Sequence, residues 1–192
     1  CGQCVGCRLE KSRQWALRCV HEASLHEDNC FLTLTYNDDN LPENNSLDLS
    51  HFQKFMKRLR KKFGKDIRYF HCGEYGEKNG RPHYHAIIFN FDFPDKVLLK
   101  VDGDNRYYTS SILDQLWSFG YALLGDVSFD SAAYVARYCL KKVTGKDSER
   151  YYERVNEQTG EVVQIAKEYA TMSRRPGIGQ GWYKKFRTDA YP

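Results

Sequence analysis

The sequence predicts an α+β protein with one central antiparallel sheet packed by helices on a face. Segments rich in β-branched and aromatic residues alternate with segments whose apolar residues recur at helical spacing. Turn-forming residues between neighbouring strand segments predict hairpins, and Asn79-Gly80 is the strongest of these turn signals. At 192 residues the chain suggests a single domain.

The first half of the chain predicts two helices and three strands. Apolar residues from Leu9 to Leu25 are spaced as in an amphipathic helix. Ser50 is the expected N-cap of the second helix and Gly64 its end. Runs of β-branched and aromatic residues give the strands. The predicted ranges are helices over 8–26 and 50–63 and strands over 30–36, 67–72 and 82–89.

The second half begins with a polar loop over 90–108. Ser110 or Ser111 caps a third helix that ends near Trp117, and Asp130-Ser131 caps a fourth helix. The remaining predictions are a strand over 121–129, the fourth helix over 132–143, a hairpin over 150–169, and a Gly-rich tail over 173–192 with a last short helix.

Composition narrows the class of protein. The net charge is +4, too small for a histone-like polycation, and no run of about 18 apolar residues marks a transmembrane helix. Seven cysteines, an odd number without a visible signal peptide, indicate reduced thiols or metal ligands in a reducing cytoplasm. Because residue 1 is Cys rather than Met, we expect the sequence to be a piece of a longer protein.

The sharpest local feature is His83-Tyr84-His85. Residues i and i+2 of a strand point to the same face, so the two imidazoles converge and form a natural metal chelate. Glu74 ends the preceding strand, and a hairpin at Asn79-Gly80 brings it beside them. This mixed nitrogen and oxygen set suits Mn²⁺ or Mg²⁺, with Zn²⁺ as a further candidate. Alternatively, the histidines lie on a solvated strand face, and Glu77 rivals Glu74 as the carboxylate.

Tyr134 and Tyr138 form the second feature. Their i, i+4 spacing places both phenols on one helix face, and Arg137 and Lys141 each follow a tyrosine by three residues. A nearby cation favours the phenolate and can also neutralise a phosphate. The other interpretation is a buried aromatic stripe with solvated basic residues.

Together these motifs resemble the HUH endonucleases, named for a His-hydrophobic-His strand. The sequence is most similar to the replication initiators of single-stranded-DNA microviruses, especially gokushoviruses. The resemblance spans most of residues 1–145. Its matching segments cover residues 1–8, 31–36, 69–76, 80–85 and 134–138.

The resemblance implies a ferredoxin-like or RRM-like HUH domain. In it Glu74, His83 and His85 hold the ion, Tyr134 and Tyr138 are nucleophiles, and Lys141 is the assisting cation. The implied reaction is sequence-specific nicking and rejoining of single-stranded DNA through a 5′-phosphotyrosine, which leaves a 3′-OH primer for rolling-circle replication.

The implied domain covers residues 1–192. Residues 1–29 hold the cysteine cluster and first helix, 30–145 the catalytic core, and 146–192 a hairpin and basic tail. The implied partners are a single-stranded or supercoiled phage origin and the host helicase and polymerase, in the bacterial cytoplasm and without a membrane. Another HUH nickase, from a plasmid or a transposon, and a non-catalytic RRM-like nucleic-acid-binding module are the alternatives. A metallohydrolase would use the His-x-His ligands but not the two tyrosines.

Clustered cations indicate where DNA binds, although each cluster also fits a solvated surface. The candidates are Lys57, Arg58, Lys61, Arg81, Arg137, Arg174 and Arg175. Cys1, Cys4 and Cys7 have zinc-like spacing, but a fourth ligand is not evident, and three reduced thiols in a turn are the alternative.

Overall fold

The computed structural model describes residues 4–138, 143, 145, 148–156 and 159–190. Its α+β class agrees with the prediction. The helices are α1 Val5–Ala23, α2 Leu49–Phe63, α3 Ser111–Leu116, α4 Phe129–Tyr138, α5 Ser148–Tyr151 and α6 Gln180–Ala190. The strands are β1 Asn29–Thr35, β2 Arg68–Tyr75, β3 Pro82–Phe89, β4 Val97–Asp102, β5 Asn105–Thr109, β6 Ala122–Gly125, β7 Glu153–Val155, β8 Val162–Gln164 and β9 Tyr169–Met172.

Seven strands form one sheet in the order β4-β5-β6-β1-β3-β2-β9, and every neighbouring pair is antiparallel. Strands β7 and β8 form a separate hairpin. In the centre, α2 connects β1 to β2 around β3, and α3 lies between β3 and β6 in the chain. This interleaved arrangement of β6, β1, β3 and β2 is compatible with a ferredoxin-like fold.

Helices pack on both faces of the sheet, whereas the sequence predicts them on a single face. Alternate residues of β3 enter two different cores: Ala86 and Ile88 pack with α2 and α3, and Ile87 and Phe89 pack with α1 and α4. The reason is the continuous apolar run at the end of β3, which is buried on both sides and therefore needs a cover on each.

Three helices begin earlier than the sequence predicts because their caps lie further upstream. Cys4 accepts a hydrogen bond at the start of α1, and Asp48, not Ser50, caps α2 by accepting from the Ser50 amide at 2.8 Å. At α4, Ser128 Oγ accepts from the Ser131 amide and Ser131 Oγ accepts from the Ser128 amide, at 3.1 and 2.8 Å. This reciprocal pair is a capping box that moves the start of α4 to Phe129.

The loop predicted over 90–108 contains the β4–β5 hairpin. The additional edge strand β9 lies between the predicted hairpin and the predicted tail. The strand predicted over 121–129 is shortened to Ala122–Gly125. Among the helices in the described ranges, none is long and apolar enough to cross a membrane.

Candidate metal centre

Antiparallel pairing of β2 with β3 builds the site. The register places Glu74 opposite His83 and Cys72 opposite His85, so the Glu74 and His83 side chains start from neighbouring positions on one face. His85, two residues after His83, points the same way. Among the described residues, Glu74, His83 and His85 are the group that can hold a metal ion, with ligand atoms all within 4.8 Å of one another.

The two imidazoles already converge on one oxygen of the Glu74 carboxylate. His83 Nε2 lies 2.7 Å and His85 Nε2 3.0 Å from Glu74 Oε1. Glu74 is 2% exposed, and its Oε2 atom is buried without a hydrogen-bond partner in the described part of the chain. A buried, unpartnered carboxylate oxygen beside two imidazoles fits a divalent cation, which would supply the missing interaction.

Neighbouring groups orient both imidazoles. His83 Nδ1 donates to the Arg81 carbonyl at 3.2 Å, and His85 Nδ1 is hydrogen-bonded to Thr33 Oγ1 at 3.1 Å. Because a carbonyl only accepts, Nδ1 of His83 carries a proton, and Nε2, which faces Glu74, is the nitrogen that would bind a cation. Such outer contacts fix the ring orientation of metal-binding histidines.

The environment favours the ionised form of Glu74. Burial raises the pKa of Glu74, but the hydrogen bonds with His83 and His85 and the electrostatic attraction of the two imidazoles outweigh burial and hold the pKa below its usual value. The carboxylate is therefore negatively charged at neutral pH, as a cation ligand must be.

Helix α4 brings Tyr134 to the same place. The Tyr134 ring meets His85 edge to face, with centroids 5.0 Å apart, and Phe31 stacks on His85 at 5.7 Å. Tyr134 is 38% exposed and, with His83 and Glu74, lines a cleft of about 410 Å³. A substrate in this cleft would reach the phenol and the metal ligands together.

Arg81 and the turn after β2 complete the cleft. Arg81 donates to Asp38 Oδ1 at 2.7 Å and to the Tyr36 carbonyl at 3.0 Å, which fixes the guanidinium at the rim. Glu77, the rival carboxylate, lines the cleft but is not part of the metal-binding group.

Other predicted residues lie elsewhere or outside the described residues. Tyr138 is the last residue of α4, and Arg137 is exposed one position before it. Lys141 and Cys1 lie outside the described residues. Cys4 Sγ accepts a hydrogen bond from the Cys7 amide at 3.5 Å, and zinc binding by the N-terminal cysteines stays a prediction.

The predicted DNA-binding cations do not form one surface. Lys57, Arg58 and Lys61 belong to α2, which packs on the face of the sheet opposite the metal ligands. Arg58 donates to the Leu116 carbonyl at 2.9 and 2.6 Å, which ties α2 to α3. Arg174 and Arg175 lie near the start of β2, at the other end of the strand from Glu74.

Sequence reasoning missed Thr33 and Asp38, which position His85 and Arg81. Thr33 carried a signal: Phe31, Thr33 and Thr35 alternate with the buried Leu32 and Leu34, so a hydroxyl faces the same side of the sheet as the metal ligands. Nothing in the local sequence pointed to Asp38.

The fold and the site define an antiparallel α+β protein in which two histidines and one carboxylate that can hold a cation lie beside an exposed tyrosine. The chain belongs to the family described as replication-associated protein ORF2/G2P, which matches residues 29–143. The predicted resemblance to phage replication initiators is thereby confirmed.

Individual relatives agree with the family. The chain is 34% identical over 201 residues to replication-associated protein VP4 of Bdellovibrio phage phiMH2K, covering 100% of this chain and 59% of that protein. It is 38% identical over 159 residues to replication-associated protein ORF2 of Spiroplasma virus 4 (77% of this chain, 49% of the relative), and 38% identical over 157 residues to replication-associated protein ORF4 of Chlamydia phage 1 (77% and 39%). The chain thus spans about two fifths to three fifths of these relatives. No solved structure matches it.

Proposed function

We propose that this chain is the nicking and joining domain of a rolling-circle replication initiator with an HUH endonuclease fold. It would cut one DNA strand at the phage origin, keep the 5′ end as a phosphotyrosine and leave a 3′-OH that the host polymerase extends. The observation that carries the proposal is Tyr134 packed against His85, at the rim of the cleft that Glu74 and His83 line.

The chemistry divides between the tyrosine and its surroundings. The Tyr134 phenol loses its proton, its oxygen bonds to phosphorus, and the bond from phosphorus to the 3′ oxygen breaks; that oxygen then takes up a proton. A divalent cation at Glu74, His83 and His85, which we propose to be Mn²⁺ or Mg²⁺, supplies Lewis acidity toward the phosphate. Arg81 at the rim binds a phosphate oxygen and orients the strand.

Two further residues complete the proposal. Tyr138, one turn after Tyr134 on α4, would act as the second nucleophile that closes the circle after a round of synthesis. Lys141 would assist as a cation near the transferred phosphate. The relatives are phage proteins, which favours phage replicative DNA over plasmid or transposon DNA, and the bacterial cytoplasm as the place of action.

The test is covalent adduct formation. Single-stranded oligonucleotides that tile the phage replicon, incubated with the protein and Mn²⁺, should yield one protein–DNA adduct on a denaturing gel. The adduct should vanish with EDTA, in His83→Ala, and in the double variant Tyr134→Phe/Tyr138→Phe. Tyr121→Phe is the matched control, because Tyr121 is 70% exposed and does not line the cleft. An adduct that persists in the double variant would refute the proposal.

A further inference from the structure

A second concave site lies at the end of the sheet where β2 begins. Its volume is about 530 Å³, and it is lined by the end of α2, the turn before β2 and the segment that follows β9. We call it the basic pocket, because its charged lining consists of one acidic residue, Asp66, and five basic residues. These are Arg60, Lys65, Arg68, Arg174 and Arg175. The chain folds cations from two distant segments into one concavity.

Two of these cations hold the wall of the pocket. Arg60 donates to the Ile67 carbonyl at 3.0 and 2.7 Å, and Arg68 donates to Glu22 and, at 2.7 Å, to the Pro176 carbonyl. These hydrogen bonds fix the turn before β2 and the Pro176 segment in place. The lining of the pocket is therefore preformed, since hydrogen bonds within the protein hold it in place.

The other three cations are available to a ligand. Lys65, Arg174 and Arg175 are exposed, and none of them forms an ion pair within the described ranges. Asp66 alone opposes them in the lining. A pocket with this excess of positive charge attracts phosphate groups.

The position of the pocket suggests which phosphates it binds. Arg68 and Glu74 stand at opposite ends of β2, six positions apart, which is about 20 Å at roughly 3.3 Å per residue. One strand of B-DNA advances about 3.4 Å per nucleotide, so the same distance is about six nucleotides. A strand held at the candidate cation site would therefore need at least about six flanking nucleotides to reach the pocket.

We propose that the basic pocket binds the phosphate backbone of the DNA that flanks the cleavage site. The inference rests on the proposed nicking function, because that function supplies the DNA. Lys65, Arg174 and Arg175 contact successive phosphates without reading bases. The pocket therefore adds affinity and fixes the direction in which the strand leaves the cleft, whereas cleavage itself stays with Tyr134 and the cation ligands.

The test measures DNA binding in EDTA, so that it needs neither metal nor cleavage. The triple variant Lys65→Gln/Arg174→Gln/Arg175→Gln is compared with Lys11→Gln/Lys100→Gln/Arg106→Gln, which removes three exposed cations outside the pocket. The probe is a fluorescent 30-nucleotide strand from the replicon, followed by anisotropy at several salt concentrations. Melting temperatures confirm that both variants are folded.

We expect the pocket variant to bind the strand about tenfold more weakly at about 0.1 M salt. Its plot of log affinity against log salt should be shallower by about 2, since roughly 0.7 counterions are released per phosphate contact on a single strand. The control variant should keep the affinity and slope of the parent protein. Unchanged binding in the pocket variant, or an equal loss in both variants, would overturn the proposal.

The two proposals fail separately. If no covalent adduct forms but the pocket variant loses binding, the nicking proposal falls, and the pocket remains a DNA-binding site without an assigned cleavage site. If the adduct forms and the pocket variant binds normally, the pocket proposal falls alone.

Discussion

Thr33 positions the candidate metal ligand His85 from the neighbouring strand β1, through the hydrogen bond to His85 Nδ1. Replacing Thr33 with Val keeps the shape of the side chain but removes this bond, so the imidazole loses its fixed orientation. We expect Mn²⁺ affinity to fall about ten- to a hundredfold, the usual effect of losing such an outer contact. Isothermal titration calorimetry with the metal-free protein measures it.

Thr35 is the matched control for this prediction. It lies two residues further along β1, but its hydroxyl donates to the Tyr121 carbonyl at 3.2 Å instead of a metal ligand. Thr35→Val should therefore retain Mn²⁺ affinity. Equal affinities in Thr33→Val and the parent protein would contradict the assigned role of Thr33.

At the residue scale, the sequence was most informative where chemistry follows from local spacing. Strand alternation paired His83 with His85, and the Asn79-Gly80 turn signal brought Glu74 beside them. Thr33 could not be assigned to His85 in this way, because the register of β1 against β3 is set by distant parts of the chain. Tyr134 was placed on a helix by its spacing, but its contact with His85 depends on how α4 packs.

Among the helices, α4 depends on its capping box. Ser128→Ala removes the oxygen that accepts from the Ser131 amide, which should lower the free energy of unfolding by about 1 kcal/mol, as measured by urea denaturation. Adduct formation should also fall, because the first turn of α4 sets the position of Tyr134. Ser111→Ala is the control, since the exposed Ser111 hydroxyl makes no hydrogen bond within the described part of the chain.

The junction of β2, α2 and β9 contains a buried histidine that should make the fold sensitive to acid. His71 is fully buried, stacks on Phe52 with centroids 3.5 Å apart, and is hydrogen-bonded through Nδ1 to Thr171 at 2.9 Å. Burial lowers the pKa of His71 well below its usual value, and the charge of His85 lowers it further. The folded protein therefore keeps His71 neutral at a pH where the unfolded chain already binds the proton.

The sign of the effect follows from proton linkage. Below about pH 6.5 the unfolded state binds more protons than the folded state. The free energy of unfolding therefore decreases as the pH decreases, by at most about 1.4 kcal/mol per pH unit for this group. The extra loss should end once the pH passes below the lowered pKa of folded His71. Urea denaturation in EDTA at pH 7 and pH 5 should show a smaller loss in His71→Gln than in the parent protein. Equal losses would contradict this origin of the acid sensitivity.

At the element scale, the sequence determined which segments become helices better than it determined where they pack. The apolar stripe of α2 predicted a helix, but nothing local showed that Lys57, Arg58 and Lys61 would lie across the sheet from the metal ligands. The β4–β5 hairpin was overlooked because its strands are exposed and bury little apolar surface. Its turn at Gly103-Asp104, with Gly103 at a φ of 59°, was the available signal.

On the scale of the whole molecule, the two ends of β2 lie at two different candidate sites. Glu74 stands at the metal centre, and Arg68 stands at the basic pocket. One strand thus fixes the spacing between the two candidate sites.

Glu22 connects the segments that hold this arrangement together. It is 3% exposed on α1, accepts from Arg68 on β2 through one oxygen, and accepts from the Gly179 amide through the other at 2.7 Å. Glu22→Ala leaves the Arg68 charge without its partner and the Gly179 amide without an acceptor. Removing one member of a buried ion pair costs about 3–5 kcal/mol, so unfolding by urea should occur at clearly lower concentration. Limited proteolysis should also cut between β9 and α6 sooner, because the Gly179 segment is no longer anchored.

The exposed ion pair between Glu10 and Arg13 provides the control on the same helix: Glu10→Ala should change neither the urea midpoint nor the cleavage pattern. If Glu22→Ala were as stable and as resistant to protease as Glu10→Ala, the tail would be held by its other contacts with α1, such as the hydrogen bond from Arg18 to the Ile178 carbonyl.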